Sequence, residues 1–402
     1  MFTNDSSTPT FPENGIRGIF DVYITSMRGR NEICPSYHFG VLKTIIGASL
    51  GRSGYIYGAR PLYPNFYSCL IGMTGISRKT TALFLGQDVL SQSDPTVIHL
   101  NGLATAEGLL SKLVTSNDDK VMDSLSESEG IRAIIGLSEF ASLLKKAKKL
   151  SGDGLIQMLT LAYDMPPSLD NPTKVSPQSA KNPCVSIIAL STHEWLEESL
   201  ELGDIRGGFA NRFCYYLHDR MKPIPHPIEP DPELWDIVLG AIRKKREVYQ
   251  QKSSRFRFDS YAMKFVENWY IYNFSVIMDE PNDLVRDVMQ RVDTHARKLA
   301  LLYAMLENQP DDYYIHLEQI KASVEVADYW KQSMIAIFGK YAVNEQAKTE
   351  NRILQKLESK SISKRNLQRS LSVSAKQFND ALDALIKAER IVQSKNGLLQ
   401  LL

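Results

Sequence analysis

Residues 70–81 form a glycine-bearing segment that ends in two basic and two hydroxyl residues, Leu-Ile-Gly-Met-Thr-Gly-Ile-Ser-Arg-Lys-Thr-Thr. The apolar run Phe66–Ile71 predicts a buried strand before it, and the apolar spacing from Thr80 onward predicts a helix after it. Backbone N–H groups at a helix N-terminus, next to a basic side chain, form a natural site for polyphosphate. The alternative interpretation is a strand-turn-helix connection whose glycines serve no ligand.

The segment departs by one position from the general phosphate-loop pattern G-x-x-x-x-G-K-[ST]. With Gly72 as the first glycine, Arg78 falls on the lysine position, whereas taking Lys79 as the lysine makes the loop one residue longer. Both registers stay open, and Thr80 or Thr81 is the expected ligand of Mg²⁺. The residues expected to bind the nucleotide are Gly72, Thr74, Gly75, Ile76, Ser77, Arg78, Lys79, Thr80 and Thr81.

An acid follows a second apolar strand, predicted over Ile131–Leu137. Glu139 could polarise the water that attacks a phosphate, and Ser138 occupies the position where an aspartate usually holds Mg²⁺ through water. Alternatively, Ser138 and Glu139 only begin the predicted helix Phe140–Leu150, since serine is a good N-cap residue.

Two hydroxyl residues, Ser191 and Thr192, end the next predicted strand, Val185–Leu190. In open α/β sheets, ligands lie beyond the carboxyl ends of the strands. Ser191 and Thr192 are therefore expected to reach the γ-phosphate or the attacking water. The alternative is an ordinary turn.

Three arginines could stabilise the charge on a transferred phosphoryl group. Arg212, before the predicted strand Phe213–Leu217, is the first candidate and would act on the nucleotide of a neighbouring subunit; Arg206 is the second. Arg297, near the start of a later helix, could reach back to the phosphates. Each could instead be a surface or salt-bridged arginine.

Length and composition indicate an ordinary soluble globular protein of two or three domains, with 402 residues, 43% of them hydrophobic and 23% charged. The net charge of +1 predicts that any nucleic-acid surface is local. Four dispersed cysteines predict buried thiols in a reducing compartment. No segment is typical of a signal peptide or a membrane span, so we expect a cytoplasmic protein with no membrane partner.

Short apolar runs alternate with helical patterns from residue 63 to 221, and these elements must position the residues named above. This alternation predicts an α/β domain with a mostly parallel sheet. A tail and a helical region (1–62) precede it, and a helical lid region (222–342) follows, beginning with a proline-rich bridge.

Residues 343–402 are predicted to form a separate winged helix. Three helical patterns, Ala347–Leu357, Lys364–Ser370 and Ser374–Lys387, precede two short strands around an Asn-Gly turn.

Positive charge is concentrated in this C-terminal region, where eleven basic and five acidic residues between 348 and 395 leave a local net charge of +6. We expect DNA contacts from Ser374, Lys376 and Gln377 at the third helix and from Lys395 on the wing. The alternative is a protein-docking unit whose basic residues are simply solvated.

The order of all these segments resembles a poorly characterised P-loop ATPase family of replication proteins from phages, plasmids and integrated mobile elements, which is often fused to primase domains. The resemblance covers roughly residues 35–335 and rests on segments 64–66, 72–81, 105–109, 135–140, 161–164, 182–187 and 208–213. More distantly, Arg212 and the helix of Arg297 look like the arginine finger and second sensor of minichromosome-maintenance helicases.

This resemblance implies a P-loop NTPase core of RecA or AAA+ type, the cofactors ATP and Mg²⁺, and a homo-oligomeric ring such as a hexamer. It also implies ATP-driven movement on single-stranded or forked DNA, that is, a helicase of a mobile-element replication system. Two alternatives remain open. The chain could bind nucleotide without hydrolysis and serve as a DNA-binding loader, or it could be an adaptor without nucleotide.

Overall fold

The fold is that of a computed structural model of the 402-residue chain. The residues described are 8–115, 130–147, 154–171, 178–199, 207–218, 223–249, 253–358, 361–371, 373–388, 390–394 and 398–401. The chain forms two compact units, Met1–Ala336 and Ile337–Leu402.

The strands, in chain order, are β1 (Gly54–Tyr57), β2 (Pro61–Leu62), β3 (Tyr67–Ile71), β4 (Ile98–Asn101), β5 (Ile131–Leu137), β6 (Ser168–Asn171), β7 (Gln178–Lys181), β8 (Pro183–Ser191), β9 (Phe213–Leu217), β10 (Ser254–Phe258), β11 (Tyr314–Ile315), β12 (Ile362–Ser363), β13 (Ile391–Gln393) and β14 (Leu398–Leu401). The helices are α1 (Ile19–Met27), α2 (Pro35–Leu50), α3 (Lys79–Ser93), α4 (Ala106–Thr115), α5 (Phe140–Ala147), α6 (Leu155–Tyr163), α7 (His193–Ser199), α8 (Pro232–Tyr249), α9 (Ser260–Met278), α10 (Asp283–Met289), α11 (Val292–Glu307), α12 (Leu317–Glu358), α13 (Lys364–Leu371) and α14 (Ala375–Lys387).

A five-stranded sheet in the order β4-β5-β8-β3-β9 forms the centre of the larger unit, and its neighbouring strands all run parallel. Ile71 at the end of β3 pairs with Ser191 of β8 and Leu217 of β9. The carboxyl ends of these strands therefore meet at one edge. The predicted α/β fold with a mostly parallel sheet is confirmed, and it is compatible with a P-loop-like core.

Continuous apolar runs produce this sheet because parallel strands are covered on both faces. Strands β3, β5, β8 and β9 are buried at every position. Helix α2 is buried along nearly its whole length and packs against β3, β5, β8 and β9. A helix that is buried on all sides belongs to the core, and α2 supplies one layer over the sheet.

A buried ion pair ties together the two elements that carry the predicted chemistry. Arg132, near the start of β5, donates from Nη1 to Oδ2 of Asp94, the C-cap residue of α3, at 2.6 Å. Ser49 donates to the same carboxylate oxygen at 2.6 Å, and both charged side chains are almost fully buried. The ion pair thus fixes α3 to β5 at the ends of these elements that lie away from the glycine-bearing loop and Glu139.

A second sheet, in the order β11-β10-β1-β2, joins residues near 54–62 to residues near 254–258 and 314–315. Strand β1 pairs in parallel with β10, and β10 pairs in parallel with β11. The predicted helical lid region (222–342) did not include β10 and β11. They are short, and β10 alternates between buried and exposed residues, so neighbouring helical patterns obscure them.

The smaller unit has its own apolar core. Helices α13 and α14 and the end of α12 pack around a three-stranded antiparallel sheet in the order β12-β14-β13. The buried core residues are Ile353, Leu354, Leu357, Leu367, Leu371, Phe378, Ala381, Leu382, Leu385, Ile391 and Leu399. Strands β13 and β14 lie where the terminal strand pair was predicted.

Candidate functional site

The glycine-bearing loop lies between the last residue of β3, Ile71, and the first residue of α3, Lys79. Gly72 has no room for a side chain, since a Cβ atom there would lie 2.5 Å from both the carbonyl oxygen of His218 and the hydroxyl of Tyr37. Gly75 adopts a φ of +74° that glycine tolerates without strain. Both glycines are therefore required by the path of the loop.

Lys79 lies inside the loop. Its ammonium group donates hydrogen bonds to the carbonyl oxygens of Gly72 at 2.6 Å and Met73 at 3.1 Å and to the hydroxyl of Ser77 at 2.8 Å. The loop thus folds around the Lys79 side chain.

Arg78 points elsewhere. Its Nε donates to Oε2 of Glu32 at 2.5 Å, and the same carboxylate accepts a 3.0 Å bond from the backbone N–H of Ile224. These two donors lower the pKa of Glu32. Arg78 also has a φ of +52°, in the left-handed region that is uncommon for residues other than glycine. It stands directly before Lys79, at the position where the general motif has its last glycine when Lys79 is taken as the lysine.

We expect Gly72→Ala to lower the free energy of unfolding by about 1–3 kcal/mol, because the methyl group overpacks a rigid backbone contact. Chemical denaturation of the purified protein measures this change. Gly240→Ala in α8 is the matched control, since a Cβ there meets no atom within 4 Å, and alanine in a helix should raise stability. Equal stability of the two variants would contradict the close packing of Gly72.

The loop opens into a cavity of about 350 Å³ at the carboxyl edge of the central sheet. This volume is within the usual range of small-molecule sites, about 300–1,000 Å³. The loop and the first turn of α3 contribute Thr74, Gly75, Ser77, Arg78, Lys79, Thr80 and Thr81 to its lining. Gly72 and Ile76 shape the loop without lining the cavity.

Ser138 and Glu139, which follow β5, line the same cavity, and both are exposed. No ion pair joins the Glu139 carboxylate to another of the described residues. Helix α5 begins at the next residue, Phe140, so Ser138 and Glu139 also lie at a helix N-terminus. The carboxylate is free to accept a proton from, or orient, a small molecule in the cavity.

Ser191 and Thr192 complete the cavity from the end of β8. Both are buried, and the Thr192 hydroxyl accepts the backbone N–H of Trp195 at 3.2 Å, as an N-cap of α7. A threonine hydroxyl that accepts one bond can still donate its own proton. Three chain segments predicted to act on one nucleotide thus meet at one edge.

Arg212 lies away from this cavity, since it precedes β9 and so sits at the amino edge of the parallel sheet. Its guanidinium is buried and donates from Nη2 to Oδ2 of Asp164 at 2.8 Å. Arg291 donates to the other oxygen of Asp164 at 3.0 Å. Strand β9, with five residues, spans about 16 Å, so Arg212 cannot reach the cavity of its own chain.

Arg297 also lies outside the cavity. Its guanidinium carbon is 5.9 Å from the ring centroids of both Phe258 and Tyr270, which is a cation–π geometry. Arg206 lies outside the described residues.

Two of the C-terminal residues predicted to contact DNA form hydrogen bonds with each other. Ser374 and Gln377 form a capping box at the start of α14, in which each side chain accepts the other's backbone N–H. Lys376 between them is exposed. Lys395 lies outside the described residues.

Sequence reasoning missed two contributors to the site. Trp195, 41% exposed, lines the cavity from α7. Glu32 lies 46 residues before its partner Arg78, in a region read only as helical. The sequence did contain a signal for Trp195, because this aromatic residue lies three positions after Thr192 at a predicted strand end. It contained no signal for Glu32, which is a single glutamate outside any motif.

Metal-ligand clusters of three or more His, Cys, Asp or Glu are absent from the part of the chain that the structure describes. The hydroxyls of Thr80 and Ser138 and the Glu139 carboxylate nonetheless supply oxygen donors around the cavity, the donor type that Mg²⁺ prefers. Within the described ranges, no helix has the length and apolar character needed to cross a membrane.

Comparison with known proteins gives no family to name. No protein-family model matches the chain, and no curated protein matches it significantly.

Proposed function

We propose that the chain binds ATP in the cavity at the carboxyl edge of the central sheet and hydrolyses it as the motor subunit of a DNA translocase or helicase. One observation carries this proposal. The glycine loop, Glu139, Ser191 and Thr192 come from three separate strand ends and line a single cavity. Parallel pairing brings these strand ends to one edge, and the residues found there are the basic, acidic and hydroxyl groups that phosphate binding and hydrolysis use.

Lys79 binds the β- and γ-phosphates in this proposal, because it is the basic residue held inside the loop. The N-terminus of α3, a helix of 15 residues, adds favourable dipole and N–H interactions with anionic oxygens. Thr80 or Thr81 and, through water, Ser138 would hold Mg²⁺. When bound, this ion neutralises charge that develops on the phosphates.

Glu139 orients the attacking water and accepts its proton. Ser191 and Thr192 donate hydrogen bonds to the γ-phosphate or to that water. The hydrogen bonds at the end of β8 therefore change when ATP is hydrolysed. Trp195 offers an aromatic surface at the same cavity.

A ring of subunits is proposed from the position of Arg212. Because it lies at the opposite edge of the sheet, it can stabilise phosphoryl transfer only on a neighbour's nucleotide. The pair between the buried Arg212 and the exposed Asp164 would then position the loop that carries Arg212, or exchange when subunits meet. The Arg297 guanidinium packs on aromatic rings, so a role for it as a second sensor requires movement of its side chain.

DNA binding is proposed for the C-terminal unit. Three helical segments followed by an antiparallel strand pair are the parts of a winged helix, and its local charge of +6 favours a polyanion. Lys376 is the candidate contact. The capping box gives Ser374 and Gln377 a structural role that can coexist with phosphate contacts.

A second candidate is a nucleotide-binding protein that does not hydrolyse ATP. The observation in its favour is that Glu139 is the one carboxylate among the residues lining the cavity, with Ser138 beside it in place of an acid. Such a protein would load or recruit partners through its C-terminal unit.

DNA-stimulated ATP hydrolysis by the purified chain separates the two candidates. We expect Mg²⁺-dependent phosphate release that rises with single-stranded or forked DNA. We expect Lys376→Glu to lower this stimulation. It should also reduce the slope of the logarithm of the DNA-binding constant against the logarithm of salt concentration by about one. Lys387→Glu, the same charge change at the exposed far end of α14, is the matched control. If the chain binds ATP but releases no phosphate even when DNA is present, the result would support the non-hydrolysing candidate.

A further inference from the structure

A second and larger cavity, of about 1060 Å³, lies beside the 350 Å³ cavity at the loop, which is the phosphate cavity of the proposal above. Its lining comes from the N-terminal segment that begins at Thr8, from α1 and the start of α2, and from His218, which follows β9. The lining mixes apolar side chains such as Ile24, Met27 and Ile33 with polar ones. Sites for small organic ligands have this character, mainly apolar with a few placed polar groups.

The Arg78–Glu32 ion pair forms the boundary between the two cavities. Arg78 lines the phosphate cavity, Glu32 lines the larger one, and their charged atoms are 2.5 Å apart. His218 gives a second connection, since its carbonyl oxygen packs against Gly72 of the loop and its residue lines the larger cavity. The two cavities are therefore neighbours separated by this pair, and a ligand with its phosphates on the loop has to pass the pair to enter the larger one.

One side chain in the lining, His38, has an unpaired buried atom. His38 is 2% exposed, and its Nε2 lies 3.3 Å from Oδ1 of Asn31. The backbone N–H of Ile33 donates to the same oxygen at 3.0 Å, which identifies that atom as the amide oxygen, so Nε2 of His38 carries the hydrogen.

The other ring nitrogen, Nδ1, has no hydrogen-bond partner among the described residues. Burial lowers the pKa of His38 to about 3, so the ring is neutral and Nδ1 is an acceptor. Buried acceptors without a donor are costly, and each one in a native fold calls for an explanation. A ligand with an N–H donor would supply the missing partner.

We infer that the larger cavity is the nucleoside subsite of the ATP site, with His38 as the residue that recognises an N–H group of the base. This inference rests on the proposed binding of ATP at the loop. The triphosphate occupies the smaller cavity, the sugar passes the Arg78–Glu32 pair, and the base lies between α1 and α2. The exocyclic amino group of adenine donates to Nδ1 of His38; because Nδ1 is shielded from solvent in the unliganded chain, the ring has to turn toward the cavity for this bond to form.

The first test compares three probes by calorimetry: the β,γ-imido analogue of ATP, inorganic tripolyphosphate, and the triphosphate of purine riboside, which lacks the amino group. We expect the ATP analogue to bind at least about tenfold more tightly than tripolyphosphate, since the nucleoside adds buried area and at least one hydrogen bond. Equal affinities would overturn the nucleoside subsite and leave the phosphate site intact. Binding of none of the three would instead overturn the proposed function itself.

The second test concerns His38. Purine riboside triphosphate should bind about two- to tenfold more weakly than the ATP analogue, as expected for one neutral hydrogen bond. His38→Phe keeps an aromatic ring but removes the acceptor, so it should abolish this difference while tripolyphosphate binds as before. His38→Gln retains a donor for Asn31 and an acceptor, and should preserve the difference.

Melting temperatures without ligand show whether either variant is folded, and binding is compared only between folded variants. A preference for the amino group that survives in His38→Phe would overturn the role of His38. Loss of tripolyphosphate binding in a folded His38→Phe would overturn the division of the site into two subsites.

Discussion

Glu139→Gln is expected to reduce ATP turnover by about a hundredfold or more, the usual cost of removing a positioned general base. Glutamine has nearly the same shape and can still occupy the exposed position between β5 and α5, but it cannot accept the proton of the attacking water. Affinity for ATP should stay within a few-fold of that of the unmodified chain. Steady-state phosphate release and calorimetry with the β,γ-imido analogue measure the two quantities separately.

Glu267→Gln is the matched control for this experiment, since Glu267 is an exposed carboxylate on α9 that lies outside the cavity lining. It should leave both turnover and affinity unchanged. If Glu139→Gln turns over ATP at the normal rate, Glu139 has no part in the chemistry and another group must orient the water.

The convergence of the site could be predicted because it depends on local patterns and one topological rule. Apolar runs ending in Ser138-Glu139 and Ser191-Thr192 identified strand ends, and parallel strands bring such ends to the same edge of a sheet. The observed bounds of β5 and β9 equal the predicted ones, and β8 extends the predicted run to Pro183–Ser191. No prediction of strand order was needed for this result.

Features that depend on long-range contacts could not be predicted in the same way. The pairing of Arg78 with Glu32 joins residues 46 positions apart, and neither position has a pattern that names its partner. Strands β1 and β10 pair in parallel across 200 residues, which no local periodicity encodes. The larger cavity beside the loop arises from this same distant packing of the N-terminal segment.

Arg212 shows that the type and sequence position of a residue do not by themselves establish its role. Its position before a strand is compatible with action on a neighbouring subunit, but its guanidinium is buried and paired with Asp164 within the chain. The Arg212 side chain is buried and also donates to the Gly208 carbonyl, so a loss of activity in an Arg212 variant would combine folding and catalytic effects. Evidence for a trans role therefore requires mixing of variant and unmodified subunits, with activity followed against their ratio.

Lys79→Ala is expected to weaken ATP binding by roughly a hundredfold, because charged hydrogen bonds are each worth about 1.5–3 kcal/mol and this ammonium is the one held within the loop. Arg78→Ala should weaken binding far less, since that guanidinium pairs with Glu32 instead of occupying the loop. Alanine does not relieve the left-handed backbone at position 78, so the variant tests the side chain alone.

Calorimetry with the β,γ-imido analogue, at equal salt, gives the two affinities on one scale. The melting temperature without ligand is needed alongside, because Lys79→Ala also removes three hydrogen bonds that close the loop. A larger loss for Arg78→Ala than for Lys79→Ala would reverse the register: Arg78 would then take the lysine role, and its pair with Glu32 would have to open before ATP binds. Comparable losses would assign the phosphates to both residues, and neither register of the loop would describe the site alone.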